Sequence, residues 1–294
     1  MIGEWTVVGR NRLSPDERRR VEQLREACES AEPLDLKLEL DETDRGGEPI
    51  HFLADADGEA IGYAAITAGV DAEACGMVHP AWRRRGVANA LLGQVRAAAG
   101  RLRRETFLVI CEDAGPVALA WMRRLGATAA ASERRMTLRL SAGSADAGPA
   151  GARAGKPLEL RPPGSGDRRA LISLLEDGFS ESAAQVTDRL AAATDGESLV
   201  ALDGGVVVGT LRITATSKRS MIYGFVIDKE RRGRGLGTRM LDVTLARLSA
   251  AGVTAVGLEV DPDNAPAVRL YQAFGFETVT TYRYMRLPSA VTPD

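Results

Sequence analysis

The sequence predicts a mixed α/β protein built as two copies of one fold. Three observations predict it: a constant internal offset, a strand–glycine loop–helix unit in each half, and a featureless segment between the halves. At 294 residues the chain has room for two domains that each bury a core.

The offset is the strongest of the three. Displacing the first half by 149 positions brings Val78 onto Ile227, Arg83 onto Arg232, Gly86 onto Gly235 and Leu92 onto Leu241. Farther on, Ala118 meets Ala267, Gly126 meets Gly275, Arg134 meets Arg283, Met136 meets Met285 and Leu138 meets Leu287. No gap is needed from about residue 74 to 140, and the earlier Gly62 matches Gly209 at 147. Two units are too few for a solenoid, so the pattern reads as a duplicated domain. Residues 141–156, SAGSADAGPAGARAGK, are rich in Gly, Ala and Ser and lack hydrophobic periodicity, the composition of a flexible linker. The expected domains are therefore 1–140 and 157–294.

The elements follow in order along the second half. LEL at 158–160 is a short strand, and 166–193 has helical patterning in one or two pieces. ESLVALD and VVVGTLRIT flank Asp203-Gly204-Gly205, a hairpin signal, because glycines supply the positive φ of a tight turn. MIYGFVID at 221–228 is the next strand. From Leu236 a helix carries Met240, Leu241, Thr244, Leu245 and Leu248 at helical spacing. TAVGLEV is a buried-type strand, Asn264 opens another helix with Ala267, Leu270, Tyr271 and Phe274 on one stripe, and two short strands close the chain through 276–287.

Composition narrows the function. A net charge of -2 gives no global excess of cations for a phosphate backbone, which argues against a nucleic-acid binder. The three cysteines, Cys28, Cys75 and Cys111, form no C-x-x-C pair, and the two histidines are His51 and His79, so neither a disulfide framework nor a zinc site is expected. No signal peptide or apolar run of about 18 residues is present, which leads to the expectation of a cytoplasmic protein without a membrane partner.

The chemistry concentrates in FVIDKERRGRGLGTRML. It sets Arg232-x-x-Gly235-x-Gly237 between a strand and a helix. Glycines let the backbone approach closely and turn successive N–H groups inward, and the positive end of the helix favours an anion such as a pyrophosphate. Arg232 and Arg234 offer charge-assisted contacts. A P-loop would need a Lys after these glycines, and a dinucleotide fingerprint would need G-x-G-x-x-G; neither is present. A plain Arg/Gly turn capping a helix is the alternative. The second copy, Arg83-x-x-Gly86-x-Ala88, weighs against it.

Beyond the helix comes LEVDPDNAPAVRLYQAFGF, residues 258–276. The glycine loop followed by Leu-Glu-Val, Asn264, Tyr271 and Gly275-Phe276 resembles the GNAT superfamily of acyl-CoA N-acyltransferases, over most of both halves and best from 206 to 287. The resemblance implies a tandem GNAT fold that uses acetyl-CoA and no metal. It implies that Arg232, Gly233, Arg234, Gly235, Leu236, Gly237 and Thr238 cradle the coenzyme A pyrophosphate. Phe225, Val226 and Ile227 would hydrogen-bond the pantetheine arm, Asn264 would contact the cofactor, and the thioester would enter where two strands splay. In the family's bacterial N-terminal acetyltransferases a Glu in the Leu-Glu-Val strand is the base and a Tyr twelve residues on is the acid; here these are Glu259 and Tyr271.

Independent chemistry agrees. An amine must lose a proton before it attacks, a task for a carboxylate directly or through water. Attack on a thioester creates an oxyanion that backbone N–H groups stabilise. A leaving thiolate, with a reference pKa of about 8.5, can take a proton from a tyrosine at about 10. Other accounts stand beside these roles: Tyr271 as a core residue with a polar tip, Glu259 as half of an ion pair, and Asn264 as an N-cap.

Under the same offset Tyr271 becomes Met122, Glu259 becomes Ile110 and Asn264 becomes Gly115. Methionine has no proton to give and isoleucine cannot accept one, so the first half reads as degenerate, although Glu112 shares a strand face with Ile110. Its glycine loop survives, making Met77, Val78, Arg83, Arg84, Arg85, Gly86, Val87 and Ala88 a candidate second cofactor site. His79 reads as a turn residue. The layout resembles the mycothiol synthases, tandem members with a catalytic second half that acetylate a cysteinyl-sugar amine. In those an acidic residue lies on the strand entering the loop, where this chain has Met221, Ile222 and Tyr223. The reading is an enzyme, monomeric or homodimeric, that acetylates a small-molecule or peptide amine. Its rival is a coenzyme A-binding module without turnover. Acceptor specificity is expected in 166–193, in the terminal strands with Tyr282 and Tyr284, and at the surface shared with the first half; Glu176, Asp177 and Glu181 could meet a cationic amine, but a solvated helix face is the stronger account of them.

Overall fold

A computed structural model describes residues 4–38, 40, 48–68, 71–102, 106–140, 158–179, 196–215 and 218–288. The chain divides into two compact units, residues 1–133 with 280–294, and residues 134–279. The predicted linker at 141–156 lies outside the described residues, as do Glu181 and the rest of 180–193.

The first unit begins with β1 (Thr6–Arg10) and α1 (Pro15–Ala31). Ser14 caps α1 and Glu17 reaches back to the Ser14 amide, a reciprocal capping box, with Pro15 supplying the fixed φ of a first helical residue. β2 (His51–Ala56) and β3 (Glu59–Ala68) form a hairpin through Asp57 and Gly58, both at positive φ. β4 (Ala72–Val78), α2 (Val87–Arg101), β5 (Phe107–Glu112), α3 (Pro116–Arg124) and β6 (Thr128–Arg139) follow. Strand alternation divides the core between two faces. Tyr63, Ala65 and Met77 pack with Val21, Leu24 and Cys28 of α1, whereas Ala64, Ile66 and Ala74 pack with Val87, Leu91 and Val95 of α2.

The second unit repeats this plan with β7 (Glu159–Arg161), α4 (Arg168–Phe179), β8 (Glu197–Asp203), β9 (Val206–Ala215) and β10 (Arg219–Ile227). α5 (Leu236–Ala250), β11 (Ala255–Val260), α6 (Ala265–Ala273) and β12 (Glu277–Arg286) complete the chain. The β8–β9 turn uses Gly204 and Gly205, both at positive φ. α4 buries Leu171 on Val200 and Leu202, and Leu174 and Leu175 on Val226. On the other face α5 buries Leu236, Met240, Leu241, Leu245 and Leu248 among Val208, Leu211, Ile222, Val256 and Leu258.

Two expectations change here. The chain ends in one ten-residue strand rather than two short ones, because nothing in ETVTTYRYMR breaks an extended run. The compact units also divide differently from 1–140 and 157–294, since each takes its last strand from the other half of the sequence. In the first unit β5 pairs antiparallel with β12, with Tyr282 opposite Glu112 and Tyr284 opposite Ile110. In the second unit β11 pairs antiparallel with β6, with Glu259 opposite Arg135. The side chains explain the choice. The exchange places a carboxylate opposite a guanidinium and an isoleucine opposite a tyrosine, whereas unexchanged strands would set Glu259 opposite Tyr284 and Arg135 opposite Ile110. Matched cross-strand pairs contribute about 0.2–1 kcal/mol each.

Candidate active site

In the second unit the parallel ladder between β10 and β11 runs from Arg219/Ala255 to Ile222/Leu258 and ends there. Beyond it Tyr223–Ile227 and Glu259–Val260 diverge. β10 keeps its other neighbour, β9, through a bulge between Tyr223 and Val226 that Gly224 accommodates at φ +57°. Phe225, Val226 and Ile227 thus sit where the backbone lacks a partner on the β11 side.

The loop after β10 is held from within. Asp228 caps a short 3-10 turn at Lys229–Arg231 by accepting from Glu230 N, and Arg232 Nε donates to Ile227 O at 3.0 Å. Gly233 and Gly235 both adopt positive φ, and Gly235 begins α5 without any side-chain cap. The amides of Leu236, Gly237 and Thr238, which have no intrahelical acceptor at a helix start, point out of the helix end as an anion-binding concavity. Arg234 is exposed and reaches Glu230 O.

β11 carries the two faces of the gap. Val256, Leu258 and Val260 enter the core that contains Tyr271, and alternation sends Gly257 and Glu259 to the opposite face. Gly257 lets the Met221 side chain lie close against the strand, since a Cβ would fall 2.4 Å from Met221 Sδ. Glu259, 12% exposed, forms an ion pair with Arg135 at 3.6 Å. Tyr271 is 5% exposed, edge-on to Phe225 at 6.1 Å and tilted against Phe276 at 5.7 Å. Burial pushes its phenol well above the ordinary tyrosine value, so it stays protonated throughout the neutral range. Glu259 and Tyr271 therefore flank the strand gap from opposite faces of the sheet. Asn264 is exposed and caps α6, its side chain accepting from Ala267 N at 3.2 Å.

The first unit has the same opening. Its β4–β5 ladder ends at Ala74/Val109, and His79 occupies the capping place of Asp228 by accepting from Ala81 N. A cavity of about 370 Å³ enters the gap, lined among others by Met77, Val78, Arg83, Arg84, Gly86 and Ala88. Two members of the predicted second site turn elsewhere: Val87 is buried in the α2 core, and Arg85 lies over the Trp82 ring at 5.0 Å. Arg83 is tied to Glu32 at 2.8 Å. Ile110 and Met122, at the positions equivalent to Glu259 and Tyr271, are buried apolar residues.

Family models match both units: an acetyltransferase (GNAT) family model over residues 168–276 and an acetyltransferase (GNAT) domain model over residues 48–128. The mycothiol acetyltransferase of Kineococcus radiotolerans is 34% identical over 249 residues, covering 79% of each chain. The chain belongs to the GNAT acetyltransferase family. Its tandem fold is shared by a GCN5-related N-acetyltransferase from Sphaerobacter thermophilus, with a TM-score of 0.75 at 22% identity over 97% of each chain. A tandem GNAT protein of clavulanic acid biosynthesis aligns with a TM-score of 0.67 at 19% identity, over 98% of this chain and 100% of that one. As a GNAT enzyme the protein transfers an acetyl group from acetyl-CoA to an amine. Among the described residues no cluster of His, Cys, Asp and Glu could hold a metal ion, and no helix is long and apolar enough to cross a membrane.

Arg135 and the first-unit cavity were missed in the sequence. The signal for Arg135 was present in the repeat. Glu259 and Ile110 are equivalent positions, as are Arg135 and Tyr284, and their polarities match only across exchanged strands. Tyr282 and Tyr284, expected beside the second-half acceptor site, instead pack against β5 of the first unit.

Proposed function

We propose that acetyl transfer takes place in the second unit, with Glu259 as the general base and Tyr271 as the general acid. The observation that carries this reading is the break in the β10–β11 ladder, with a carboxylate on one face of the gap, a phenol on the other and uncapped helix amides at its mouth. The amides of Leu236, Gly237 and Thr238 hold the pyrophosphate of acetyl-CoA, with Arg232, Gly233, Arg234 and Gly235 shaping the loop around it. The backbone of Phe225, Val226 and Ile227 aligns the pantetheine arm, and Asn264 borders the cofactor. Glu259 takes a proton from the acceptor ammonium, backbone N–H groups at the gap stabilise the oxyanion, and Tyr271 gives its proton to the departing sulfur. Arg135 pairs with Glu259 and holds it at the gap. The enzyme works as a monomer or homodimer in the cytoplasm on a small-molecule or peptide amine, and Met77, Val78 and the Arg83–Ala88 loop of the first unit offer a second coenzyme A site.

A second reading names the acceptor. The Kineococcus relative is a mycothiol acetyltransferase, which favours the amine of a cysteinyl sugar. Met221, Ile222 and Tyr223 stand against it, because the strand entering the loop lacks an acid there. Thiol release measured with acetyl-CoA against cysteinyl sugars, simple amines, aminoglycosides and peptides decides between the two. The catalytic assignment predicts that Tyr271→Phe lowers kcat and leaves acetyl-CoA affinity unchanged; full activity in Tyr271→Phe would remove the acid.

A further inference from the structure

The cavity of the first unit runs through its sheet. The β4–β5 ladder ends at Ala74/Val109, and the lining beyond that point comes from both faces. Cys75, Met77 and Ile110 belong to the face that packs on α1 and Tyr282. Leu92, Val109 and Cys111 belong to the face that carries α2 and α3. A ligand that enters beside the start of α2 can therefore pass through the gap and reach the α1 face. Its entrance suits an anion. Gly86 begins α2 at φ +87° without a side-chain cap, and Arg84 and Arg124, both exposed, line the same cavity. With Lys37 and Arg83 in the lining as well, cations outnumber the carboxylates of Glu32 and Glu112.

Past the gap the polar groups already meet partners in the protein. Arg83 is tied to Glu32, and Lys37 donates to Glu133 at 3.1 Å and to Tyr284 Oη at 2.7 Å. Glu112 Oε2 accepts from Asp35 N at 2.8 Å and from Thr280 Oγ1 at 3.0 Å, which leaves its Oε1 buried in the wall. Tyr282 donates its hydroxyl proton to Asp35 O at 2.7 Å. What this end of the cavity offers a ligand is apolar surface from Leu34, Leu36, Met77 and Ile110. The second unit differs at this place. There the equivalent of Ile110 is Glu259, paired with Arg135, so the gap opens on a carboxylate instead of an oily chamber.

We propose that the first unit binds an acyl-coenzyme A whose acyl chain is longer than acetyl, with the chain lying among Leu34, Leu36, Met77 and Ile110. This rests on the reading of the Arg83–Ala88 loop as a second coenzyme A site, and it adds what that site selects. The α2 amides and the arginines take the phosphates, the thioester crosses the gap, and the chain fills the chamber on the α1 face. Each methylene that leaves water for the chamber tightens binding about fourfold. An acetyl group, with one methyl beyond its carbonyl, gains little there. The volume of about 370 Å³ falls in the range of small-molecule sites.

The tryptophans allow a direct test. The chain has three, Trp5, Trp82 and Trp121, all in the first unit, and Trp82 and Trp121 line the cavity. Intrinsic fluorescence of the full chain carrying Trp5→Phe is titrated with coenzyme A, acetyl-CoA and butyryl-CoA, without an amine so that no ligand is consumed. Butyryl-CoA has two methylenes more than acetyl-CoA and is expected to bind about 15-fold tighter. Leu36→Asn sets an amide in the chamber wall; it is expected to remove most of that gain and leave the affinity for free coenzyme A as it was. No response to any of the three ligands would remove the second coenzyme A site and this proposal with it. Saturable binding of coenzyme A and acetyl-CoA with no gain for butyryl-CoA would keep the site and overturn the chain-length selection. An undiminished gain in Leu36→Asn would take the chain out of the chamber and overturn the proposal too. Should Leu36→Asn fail to fold, the comparison of the three ligands with Leu36 in place still decides.

Discussion

The two units build one opening and furnish it differently. Each has a parallel ladder that breaks after three or four residue pairs, a loop with two left-handed residues and a helix start without a side-chain cap. At the gap the second unit sets Glu259 with Arg135 and, on the other face, Tyr271, where the first sets Ile110 with Tyr284 and Met122. The two openings thus share their backbone conformation and differ in the side chains beside the gap. The comparison teaches that the scaffold and the chemistry of this fold are separable, and it is sharpest where equivalent positions can be exchanged.

The largest effect is expected at the acid–base pair. Glu259→Gln and Tyr271→Phe should each lower kcat by about 10²–10⁴-fold, the usual worth of a positioned general base or acid. The equivalent changes Ile110→Val and Met122→Leu should leave turnover within about twofold, as volume-conserving swaps in a core do little more than soften packing. Steady-state thiol release checks all four. A comparable loss in Met122→Leu would make the first unit a partner in catalysis.

Much of this was legible in the sequence for a physical reason. Glycines at positive φ, the 3.6-residue stripe from Met240 to Leu248 and the Gly204-Gly205 turn are local, and local constraints are written where they act. The offset of 149 made the two loops visible together. Strand exchange was harder to see, since β6 and β12 have the same pattern and either could pair with either gap. Only the joint polarity of Arg135 with Glu259 and of Tyr284 with Ile110 separates the arrangements. Glu112 was placed on the right face, yet its partners, Asp35 N and Thr280, lie 77 and 168 positions away and leave no periodic trace.

Next in size is the hairpin glycine that both units share. A Cβ on Gly209 would lie 2.7 Å from Val226 O, a backbone atom that cannot move alone, and 2.8 Å from Ile227 Cδ1. A Cβ on Gly62 would meet Val87 Cγ1 at 2.7 Å and Leu91 Cδ1 at 3.0 Å, both side-chain ends. Gly209→Ala should therefore cost about 2 kcal/mol and Gly62→Ala less, in urea melts that resolve the two units. Equal costs would mean that the second unit relaxes as readily as the first.

A smaller effect tests the exchange itself. Arg135→Met removes the ion pair with Glu259, and a double-mutant cycle with Glu259→Gln should show coupling of about 1 kcal/mol. The cycle of Arg135→Met with Ile110→Val should show none. Coupling to Ile110 instead would place β6 beside β5 and undo the exchanged pairing.

The smallest effect lies in the loops. Arg84 and Gly233 are equivalent positions, and both are left-handed, at φ +65° and φ +75°. Nothing lies within 4 Å of a Cβ built on Gly233, so a side chain there meets no steric contact and pays only in backbone energy. Gly233→Arg should cost about 1 kcal/mol, the penalty of a left-handed L-residue, a shift of about 2–4 °C in the melting of the unit that contains it. Arg84→Gly relieves the same strain but frees the unfolded chain by about 0.4–1 kcal/mol, so the two terms nearly cancel and its Tm should hardly move. The asymmetry is the test. If Gly233→Arg is as silent as Arg84→Gly, the left-handed residue is no constraint on the loop, and the shared backbone of the two openings has some other origin.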